Sequence, residues 1–243
     1  MDTTVIADIL DYSAPRYKGK LSSNGSKTRP KFSTIDDVFD NHFAEFSDVN
    51  HPCRHTLFAA AQMLNGKAAY IVETGSAAWG TKSSILFDSY VNSFGGKFIS
   101  VDIRLEPLFT LNSLCTEQST FYCDDSVAFL KRIANEGIKP DLFYLDSWDL
   151  DINDPLSAAI HGLHEFLAIL PILKPGTVLL IDDTPKDSAV WARVQGAAGV
   201  TLFEQLTRTY GFPPGKGALV KDYLLKNGMG REVAHDYQLL WEF

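Results

Sequence analysis

The chain of 243 residues is 45% hydrophobic and has a formal net charge of −8 at pH 7. A chain of this length can bury a full core as a single α/β domain. The acidic balance argues against an extended face that binds nucleic acid, because phosphate contacts depend on clustered Lys and Arg. We therefore expect one main domain and no nucleic-acid partner.

The cysteines Cys53, Cys115 and Cys123 are an odd number without metal-type spacing. This pattern predicts a reduced, cytoplasmic protein. No apolar run approaches the roughly 20 residues that span a bilayer, and the first residues lack the basic-then-apolar pattern of a signal peptide. We accordingly expect no membrane partner.

The first fifty residues differ in composition from the rest. The stretch 17–34 is rich in Lys, Arg, Ser, Gly and Asn and poor in apolar residues. It predicts an N-terminal arm or lid over 1–50, which is either a partly disordered tail or a segment that folds over a ligand through Tyr17, Lys18 or Lys20. Arms of this sort sometimes dock on a neighbouring subunit, so a homo-oligomer is an open expectation. The main domain is predicted over 51–243.

From residue 55 onward, helical and strand patterns alternate. Helices are predicted near 55–64, 81–94, 106–116, 125–136, 155–170, 187–210 and 217–227, and strands at 68–74, 97–103, 119–123, 141–146 and 176–182, with one or two more between 232 and 243. This alternation predicts an α/β fold with a doubly wound, mostly parallel, seven-stranded sheet, helices on both faces and an antiparallel terminal strand. Ligands bind such folds at the carboxyl ends of the strands.

A glycine-bracketed turn follows the first of these strands. Residues 70–83 run from an apolar strand through Glu73 and the turn Gly75 to Gly80 into a helix. The glycines allow a sharp turn and close approach to a ligand, and the helix N-terminus offers unpaired N–H groups. Asp102 follows the next strand at roughly twenty residues, the spacing expected of a carboxylate that accepts ribose hydroxyls. The sequence thus predicts a site for a nucleotide-like ligand.

Two other nucleotide sites remain open on these residues. Gly75 to Ser83 nearly fits a phosphate-binding loop, but Thr81 intervenes before Lys82 and displaces the lysine from its expected position. A nicotinamide oxidoreductase would also use Asp102, although a clean Gly-x-Gly-x-x-Gly is missing. A non-catalytic relative of the same fold is a third alternative.

Acidic residues lie at the carboxyl end of every predicted strand of the main sheet, at Glu73, Asp102, Asp124, Asp125, Asp146, Asp182 and Asp183. In a parallel sheet these side chains converge on one rim, where their mutual repulsion favours a bound cation or a polyhydroxylated ligand. Asp146, Asp182 and Asp183 follow strands that we expect to be neighbours, and three hard oxygen donors suit Mg²⁺. The alternative is that Asp183 caps a helix and Asp182 binds loop amides.

Two stretches carry a resemblance to a known family, namely Leu145-Asp146-Ser147-Trp148 and the segment from Leu173 to Asp183. Together with the glycine turn, they resemble the class I S-adenosylmethionine-dependent methyltransferases, and within them the metal-dependent O-methyltransferases of the catechol and macrocin types. The resemblance covers residues from about 65 to the C-terminus and implies a Rossmann-like fold. It implies Asp146, Asp182 and Asp183 as the Mg²⁺ ligands.

The same resemblance implies cofactor contacts at Glu73, Gly75, Ser76, Gly80, Asp102, Ile103, Asp125, Ser126, Ser147 and Trp148. Gly75 and Ser76 would approach the methionine moiety, and Asp102 the ribose. Ile103 would pack on the adenine, whose edge would meet Asp125 and Ser126. Ser147 and Trp148 would flank the entrance for cofactor and substrate.

The chain departs from the family pattern at three places. Asp124 stands where a glycine is usual, and the first turn is one residue longer than the common form, which affects the roles of Ala77 to Thr81. Where the catechol enzymes place a catalytic lysine, this chain has Asp149. The resemblance implies Asp149 as the general base beside Asp146, with Asp151 as the rival.

The expected activity is S-adenosylmethionine-dependent, Mg²⁺-dependent methyl transfer to a hydroxyl of a small molecule such as a catechol, a sugar diol or another natural product. The alternatives are a metal-independent class I methyltransferase and a phosphotransferase with a phosphate-loop-like nucleotide site. We expect His161 and His164 to be structural or surface residues. The turn Gly215-Lys216-Gly217 could approach substrate, but such a turn more often simply starts a helix.

Overall fold

The computed structural model describes residues 18–21, 28–76 and 80–243. Tyr17, which the lid prediction uses, and the middle of the glycine turn at 77–79 lie outside the described residues. The same holds for nearly half of the predicted arm, at 1–17 and 22–27. The division of the chain at residue 50 therefore stays a prediction.

An eight-stranded sheet forms the middle of the described part of the chain. Its strands are β1 (Gly19–Lys20), β2 (Ala69–Thr74), β3 (Gly96–Asp102), β4 (Ser119–Cys123), β5 (Leu142–Leu145), β6 (Val178–Ile181), β7 (Arg231–His235) and β8 (Leu239–Glu242). They lie in the order β1-β4-β3-β2-β5-β6-β8-β7. Strands β2 to β6 are parallel, whereas β1, β7 and β8 pair antiparallel with their neighbours. The predicted fold is confirmed, with one strand more than expected because β1 adds two residues at the edge.

The helices of the described residues are α1 (Ile35–Glu45), α2 (Arg54–Met63), α3 (Ser83–Phe94), α4 (Leu105–Leu114), α5 (Ser126–Asn135), α6 (Pro155–Ile169), α7 (Ser188–Gln195), α8 (Ala198–Tyr210) and α9 (Ala218–Asn227). The prediction of one helix over 187–210 is wrong. Gly196, with a φ of +73°, ends α7, because glycine takes this left-handed conformation at little cost. α8 starts two residues later.

The sheet is buried on both faces. Along β5, Leu142 and Tyr144 face the core beneath α1 to α4, whereas Phe143 and Leu145 face the core beneath α5, α6 and α9. This alternation follows from the two-residue period of a strand, and it explains why β5 reads as a continuous apolar run. Ligands can therefore reach the sheet at the strand ends, where the acidic residues lie.

Helix α1 lies in the segment predicted as an arm. Thr34 caps it by accepting a hydrogen bond from the Asp37 N–H at 3.1 Å, and Phe39 and Phe43 are at most 2% exposed. Both rings belong to the core beneath α1 to α4. Residues 35–45 are thus part of the folded body.

One stretch, Pro155–Ile172, is apolar and long enough at 18 residues to cross a membrane by length and composition alone. It comprises α6 and the following 3₁₀ turn (Leu170–Ile172). The sequence analysis expected no apolar run near the roughly 20 residues that span a bilayer, and this stretch comes close to that length. Half of it is buried inside the fold, where Phe166 and Ile169 pack on the sheet. Such burial is that of a core helix, and the absence of a membrane partner stays a prediction.

Candidate active site

Two clefts open at the carboxyl ends of the parallel strands. The larger cleft has a volume of about 530 Å³, and the smaller cleft has a volume of about 240 Å³. Gly75, Arg104, Asp146 and Asp149 line both, so the two clefts share a wall. A ligand in one cleft can therefore meet a ligand in the other.

The larger cleft collects most of the predicted cofactor residues. Those in its lining are Gly75, Asp102, Ile103, Asp125, Ser126, Ser147 and Trp148. Ser76 and Gly80 line the smaller cleft instead. The structure thus brings together residues that are far apart in the sequence, at the edge of the sheet where the prediction expects them.

Gly75 lets the end of β2 lie against the end of β5. Its φ is +77°, and a Cβ at this position would lie 2.3 Å from the carbonyl oxygen of Asp146. Any side chain here would collide with the backbone beside the predicted metal ligand. The glycine requirement predicted from the turn thus has a second cause, which is contact with the neighbouring strand end.

Glu73 lies in neither cleft lining. It is fully buried, and its carboxylate accepts hydrogen bonds from Ser83 and Ser100, both at 2.6 Å, and from Ser84. Burial raises the pKa of Glu73 to about 7, although these hydroxyls act in the opposite direction. In this position Glu73 fixes the start of α3, and the predicted contact with a cofactor is not supported by its placement.

Asp102 is held at the end of β3 by its surroundings. Its carboxylate accepts hydrogen bonds from the Ser76 N–H at 3.0 Å and from the Arg104 guanidinium at 2.7 and 3.0 Å. Asp102 is 5% exposed, whereas the side chain of Arg104 is 48% exposed. Ribose hydroxyls would share this carboxylate with Arg104, a residue that the sequence analysis did not single out.

A polar network supports the entrance of the larger cleft. His161 Nε2 lies 2.8 Å from Ser147 Oγ and 3.1 Å from Ser126 Oγ, and Ser147 donates to the buried Glu165 at 2.6 Å. The ring of Trp148, which has a left-handed φ of +67°, lies 5.1 Å from the ring of His161. His161 is thus a structural residue, as predicted, but it also lines the cleft.

The remaining histidine of α6 takes no part in this site. His164 lies in a separate groove between α5 and α6. Helical spacing alone does not distinguish the two histidines, because their roles depend on the residues that each contacts in the folded protein.

Asp146, Asp182 and Asp183 come together as predicted, with one ligand oxygen of each within 4.8 Å of the others. We call these three residues the carboxylate triad. Asp182 is 8% exposed and accepts hydrogen bonds from Gln238 Nε2 at 2.6 Å and Cys53 Sγ at 3.4 Å. Asp183 accepts one from Tyr237 at 2.9 Å. Asp183 also adopts a left-handed φ of +40°, which is strain of the kind that collects at functional sites.

The titration of the triad reflects its crowding. Burial and the neighbouring charge of Asp182 raise the pKa of Asp146. Burial acts in the same direction on Asp182, but the charge of Lys216 and the donors around it lower its pKa. The three carboxylates therefore do not titrate independently, as is usual for carboxylates that share a site.

The two candidates for the general base differ in placement. Asp149 lines both clefts. Asp151 is turned towards its own loop, where its carboxylate accepts hydrogen bonds from the N–H and the side-chain amide of Asn153, at 2.8 and 3.1 Å. The position of Asp149 supports it as the base.

Lys216 is the main functional candidate that sequence reasoning missed. Its ammonium lies 2.6 Å from Asp146 Oδ1 and 3.0 Å from Asp183 Oδ2, and the residue is 4% exposed. The only sequence signal is its position between Gly215 and Gly217, which resembles an ordinary turn. Lys82, which a phosphate loop would need at the ligand, is exposed and lines neither cleft.

The similarity of this chain to known proteins lies in its three-dimensional structure. No protein-family model matches it, and no curated protein matches its sequence. Solved structures do match, at identities under 25%, and they share the predicted Rossmann-like fold.

Among these structures is the MycE methyltransferase of the mycinamycin biosynthetic pathway. Its complex with Mg and S-adenosylhomocysteine has a TM-score of 0.54 at 16% identity, covering 90% of this chain and 55% of that chain. Its complex with Mg, S-adenosylhomocysteine and mycinamycin VI has a TM-score of 0.54 at 17% identity, with the same coverage. An O-methyltransferase from Bacillus cereus in complex with S-adenosylhomocysteine matches at 17% identity, covering 88% of this chain and 92% of that chain, with a TM-score of 0.43. The chain spans about half the length of MycE.

Proposed function

We propose that the protein is an S-adenosylmethionine-dependent O-methyltransferase that acts on a hydroxyl of a small molecule and uses Mg²⁺. The observation that carries this proposal is the shared wall of the two clefts. The larger cleft contains the residues predicted to bind the cofactor, the smaller one contains the carboxylate triad, and Asp149 lines both. The complex of MycE with Mg, S-adenosylhomocysteine and mycinamycin VI supports the proposal, because a protein of similar fold binds a metal ion together with the cofactor product.

In this arrangement the larger cleft holds S-adenosylmethionine. Asp102 accepts hydrogen bonds from the ribose, the exposed side chain of Ile103 packs against the adenine, and Ser126 lies at its edge. Trp148, whose side chain reaches solvent, covers the entrance. The volume of about 530 Å³ falls in the range typical of small-molecule and cofactor sites.

The triad fits a divalent cation by the chemistry of its donors, since three carboxylates meet at a partly exposed rim and Mg²⁺ prefers oxygen ligands. A bound Mg²⁺ would supply Lewis-acid stabilisation of the acceptor oxygen. Asp146, Asp182 and Asp183 would hold it, and Gln238 and Tyr237 orient two of these carboxylates through their hydrogen bonds.

The chain's own residues contribute alignment and proton transfer. The methyl group moves in line from the sulfonium to the acceptor oxygen, so the C–S bond breaks as the C–O bond forms. Asp149 accepts the hydroxyl proton at the shared wall. Positioning contributes most of the acceleration, since effective molarities on the order of 10⁵ M or more are attainable for well-aligned groups.

The deciding experiment is isothermal titration of the protein with S-adenosylhomocysteine, ATP and NAD, each with magnesium present and with magnesium chelated. We expect micromolar binding of S-adenosylhomocysteine alone. Preference for ATP would instead favour the phosphotransferase, and preference for NAD would favour the oxidoreductase. If methyl transfer survives chelation, the metal-independent alternative replaces Mg²⁺ dependence. The cytoplasmic location, the homo-oligomer and the absence of nucleic-acid partners stay predictions.

A further inference from the structure

Lys216 lies where the proposed function needs a divalent ion. Its ammonium contacts Asp146 and Asp183, two of the three triad residues, at 2.6 and 3.0 Å. It also donates to the carbonyl oxygen of Asp146 at 3.3 Å. A lysine ammonium has three N–H donors and no acceptor, so these three oxygens account for all of its hydrogen bonds.

The backbone around Lys216 is built to bring it there. A Cβ on Gly215 would lie 2.7 Å from the carbonyl oxygen of Asp183, and one on Gly217 would lie 2.8 Å from Thr184 Oγ1. On the other side, a Cβ on Gly162 of α6 would lie 2.2 Å from the Lys216 carbonyl oxygen. Lys216 therefore lies between α6 and the residues after β6, and this close approach requires glycine at all three positions.

Hydrogen bonds hold the same loop in register. The Lys216 N–H donates to the Asp183 carbonyl at 3.1 Å, and the Gly217 N–H donates to Thr184 Oγ1 at 2.8 Å. The side-chain carbons are buried with the backbone, and the side chain is 5% exposed. A lysine is buried this deeply only where its charge is paired, so its counter-charges are an integral part of the loop.

Two cations at the same carboxylates repel each other. A Mg²⁺ ion bound by Asp146 and Asp183 would compete with the ammonium for these oxygens, and at such distances the like charges repel strongly. We propose that Lys216 is a tethered cation that holds the place of the divalent ion in the carboxylate triad, so that the ion binds only by displacing the ammonium. This inference rests on the metal site of the proposed function and makes Lys216 a positioning residue that sets metal affinity.

The test is titration of the full chain with Mn²⁺, followed by electron paramagnetic resonance of the free ion. Lys216→Met keeps the apolar stem and removes the charge, so we expect it to bind Mn²⁺ at least tenfold more tightly than the wild type. Lys216→Arg keeps the charge and should bind no more tightly than the wild type. Lys221→Met is the matched control, because Lys221 pairs with Glu232 outside both clefts, and its affinity should be unchanged.

Thermal unfolding gives a second readout. Without metal, Lys216→Met leaves three carboxylates without their cation, so its Tm should lie below that of the wild type. Added Mg²⁺ should raise the Tm of this variant more than that of the wild type. If Lys216→Met folds only when metal is present, that result also supports the proposal, because the ion then replaces the lost ammonium.

Several outcomes would overturn the inference. An unchanged or weaker Mn²⁺ affinity in Lys216→Met, or a tighter one in Lys216→Arg, would show that Lys216 does not compete with the ion. Absence of Mn²⁺ binding in both the wild type and Lys216→Met would also overturn the inference, because the triad would then not be a metal site. Binding of S-adenosylhomocysteine, measured on the same samples, separates this failure from failure of the methyltransferase proposal.

Discussion

Asp102 and Asp182 both end strands of one sheet, yet they lie in different clefts. Asp102 is held by Ser76 and Arg104 at the larger cleft, whereas Asp182 is held by Gln238 and Cys53 in the triad. Because the two carboxylates share no hydrogen-bond partner among the described residues, their roles can be separated by substitution.

We expect Asp102→Ala to weaken S-adenosylhomocysteine binding by at least tenfold and to leave Mn²⁺ binding in place, since a charged hydrogen bond contributes about 1.5–3 kcal/mol. Asp182→Ala should weaken Mn²⁺ binding, leave S-adenosylhomocysteine binding in place and abolish methyl transfer. Both ligands are measured by calorimetry on each variant. The reverse pattern would refute the assignment of the two clefts.

Asp149 and Asp151 form a matched pair for testing the general base. Replacing Asp149 by Asn preserves shape but removes the proton acceptor, so kcat should fall by roughly 10²- to 10⁴-fold, the usual contribution of a general base. Asp151→Asn should change kcat little, because Asp151 lines neither cleft. A larger loss in the Asp151 variant would exchange their roles.

His42 predicts a dependence of stability on pH. Burial lowers the pKa of His42 from 6.5 to about 4, and its Nε2 lies 2.7 Å from the Thr81 carbonyl oxygen. Between these two values the unfolded chain binds a proton that the folded chain does not, so stability is lost as pH falls through this range. His42→Gln can still donate to Thr81 without titrating.

We expect the wild type to lose about 2 kcal/mol more than His42→Gln between pH 7 and pH 5, given about 1.4 kcal/mol per pKa unit. The measurement is urea unfolding of both proteins at each pH. Equal losses would mean that His42 is charged in the folded protein.

At the scale of elements, α1 contradicts the expectation raised by its surroundings. The preceding stretch 17–34 is rich in polar residues, but Phe43 of α1 is 1% exposed and belongs to the core. Its replacement by Ala should cost about 3–5 kcal/mol, as expected for a buried phenylalanine. Phe109→Ala is the control, because Phe109 is 54% exposed and its loss should cost under about 0.5 kcal/mol. Urea unfolding measures both, and equal costs would place α1 outside the core.

The elements also show how far the sequence predicts this fold. Strands such as β2 and β3 are predicted nearly to the residue, because apolar runs that end in an acid mark strands buried on two faces. The break between α7 and α8 was missed because a single glycine within a helical pattern is often tolerated. Here the left-handed φ of Gly196 ends the helix.

The candidate site was predicted only in part, for a physical reason. Carboxylates at strand ends converge by topology, so the sequence places Asp146, Asp182 and Asp183 together. The position of Lys216 depends on glycine contacts between α6 and the loop after β6, and such long-range contacts have no local signature. The place of His161 in the cleft likewise depends on Ser147 and Ser126, which are distant from it in the sequence. Arg104 is only two residues from Asp102, but the sequence does not show that its guanidinium turns back onto that carboxylate.

At the scale of the whole molecule, the clefts lie on one rim, while the helices bury both faces of the sheet. A ligand bound at this rim contacts the ends of several strands, which come together only in the folded state. Binding should therefore stabilise the whole fold against unfolding. We expect saturating S-adenosylhomocysteine to raise the Tm by several degrees, since ligand at 100 times its Kd contributes about 2.7 kcal/mol. Differential scanning calorimetry checks this, with Asp102→Ala as the variant whose Tm should respond least.

The shortest strand has a practical consequence for handling the protein. β1 covers the outer edge of β4 with only two paired residues, Gly19 and Lys20, and with the Leu21 N–H, which donates to the Phe121 carbonyl at 2.9 Å. An uncovered strand edge pairs readily with another chain. A shortened chain that starts at residue 28 would lack β1 and would be prone to aggregate, so its insolubility alone would not test the proposed ligands.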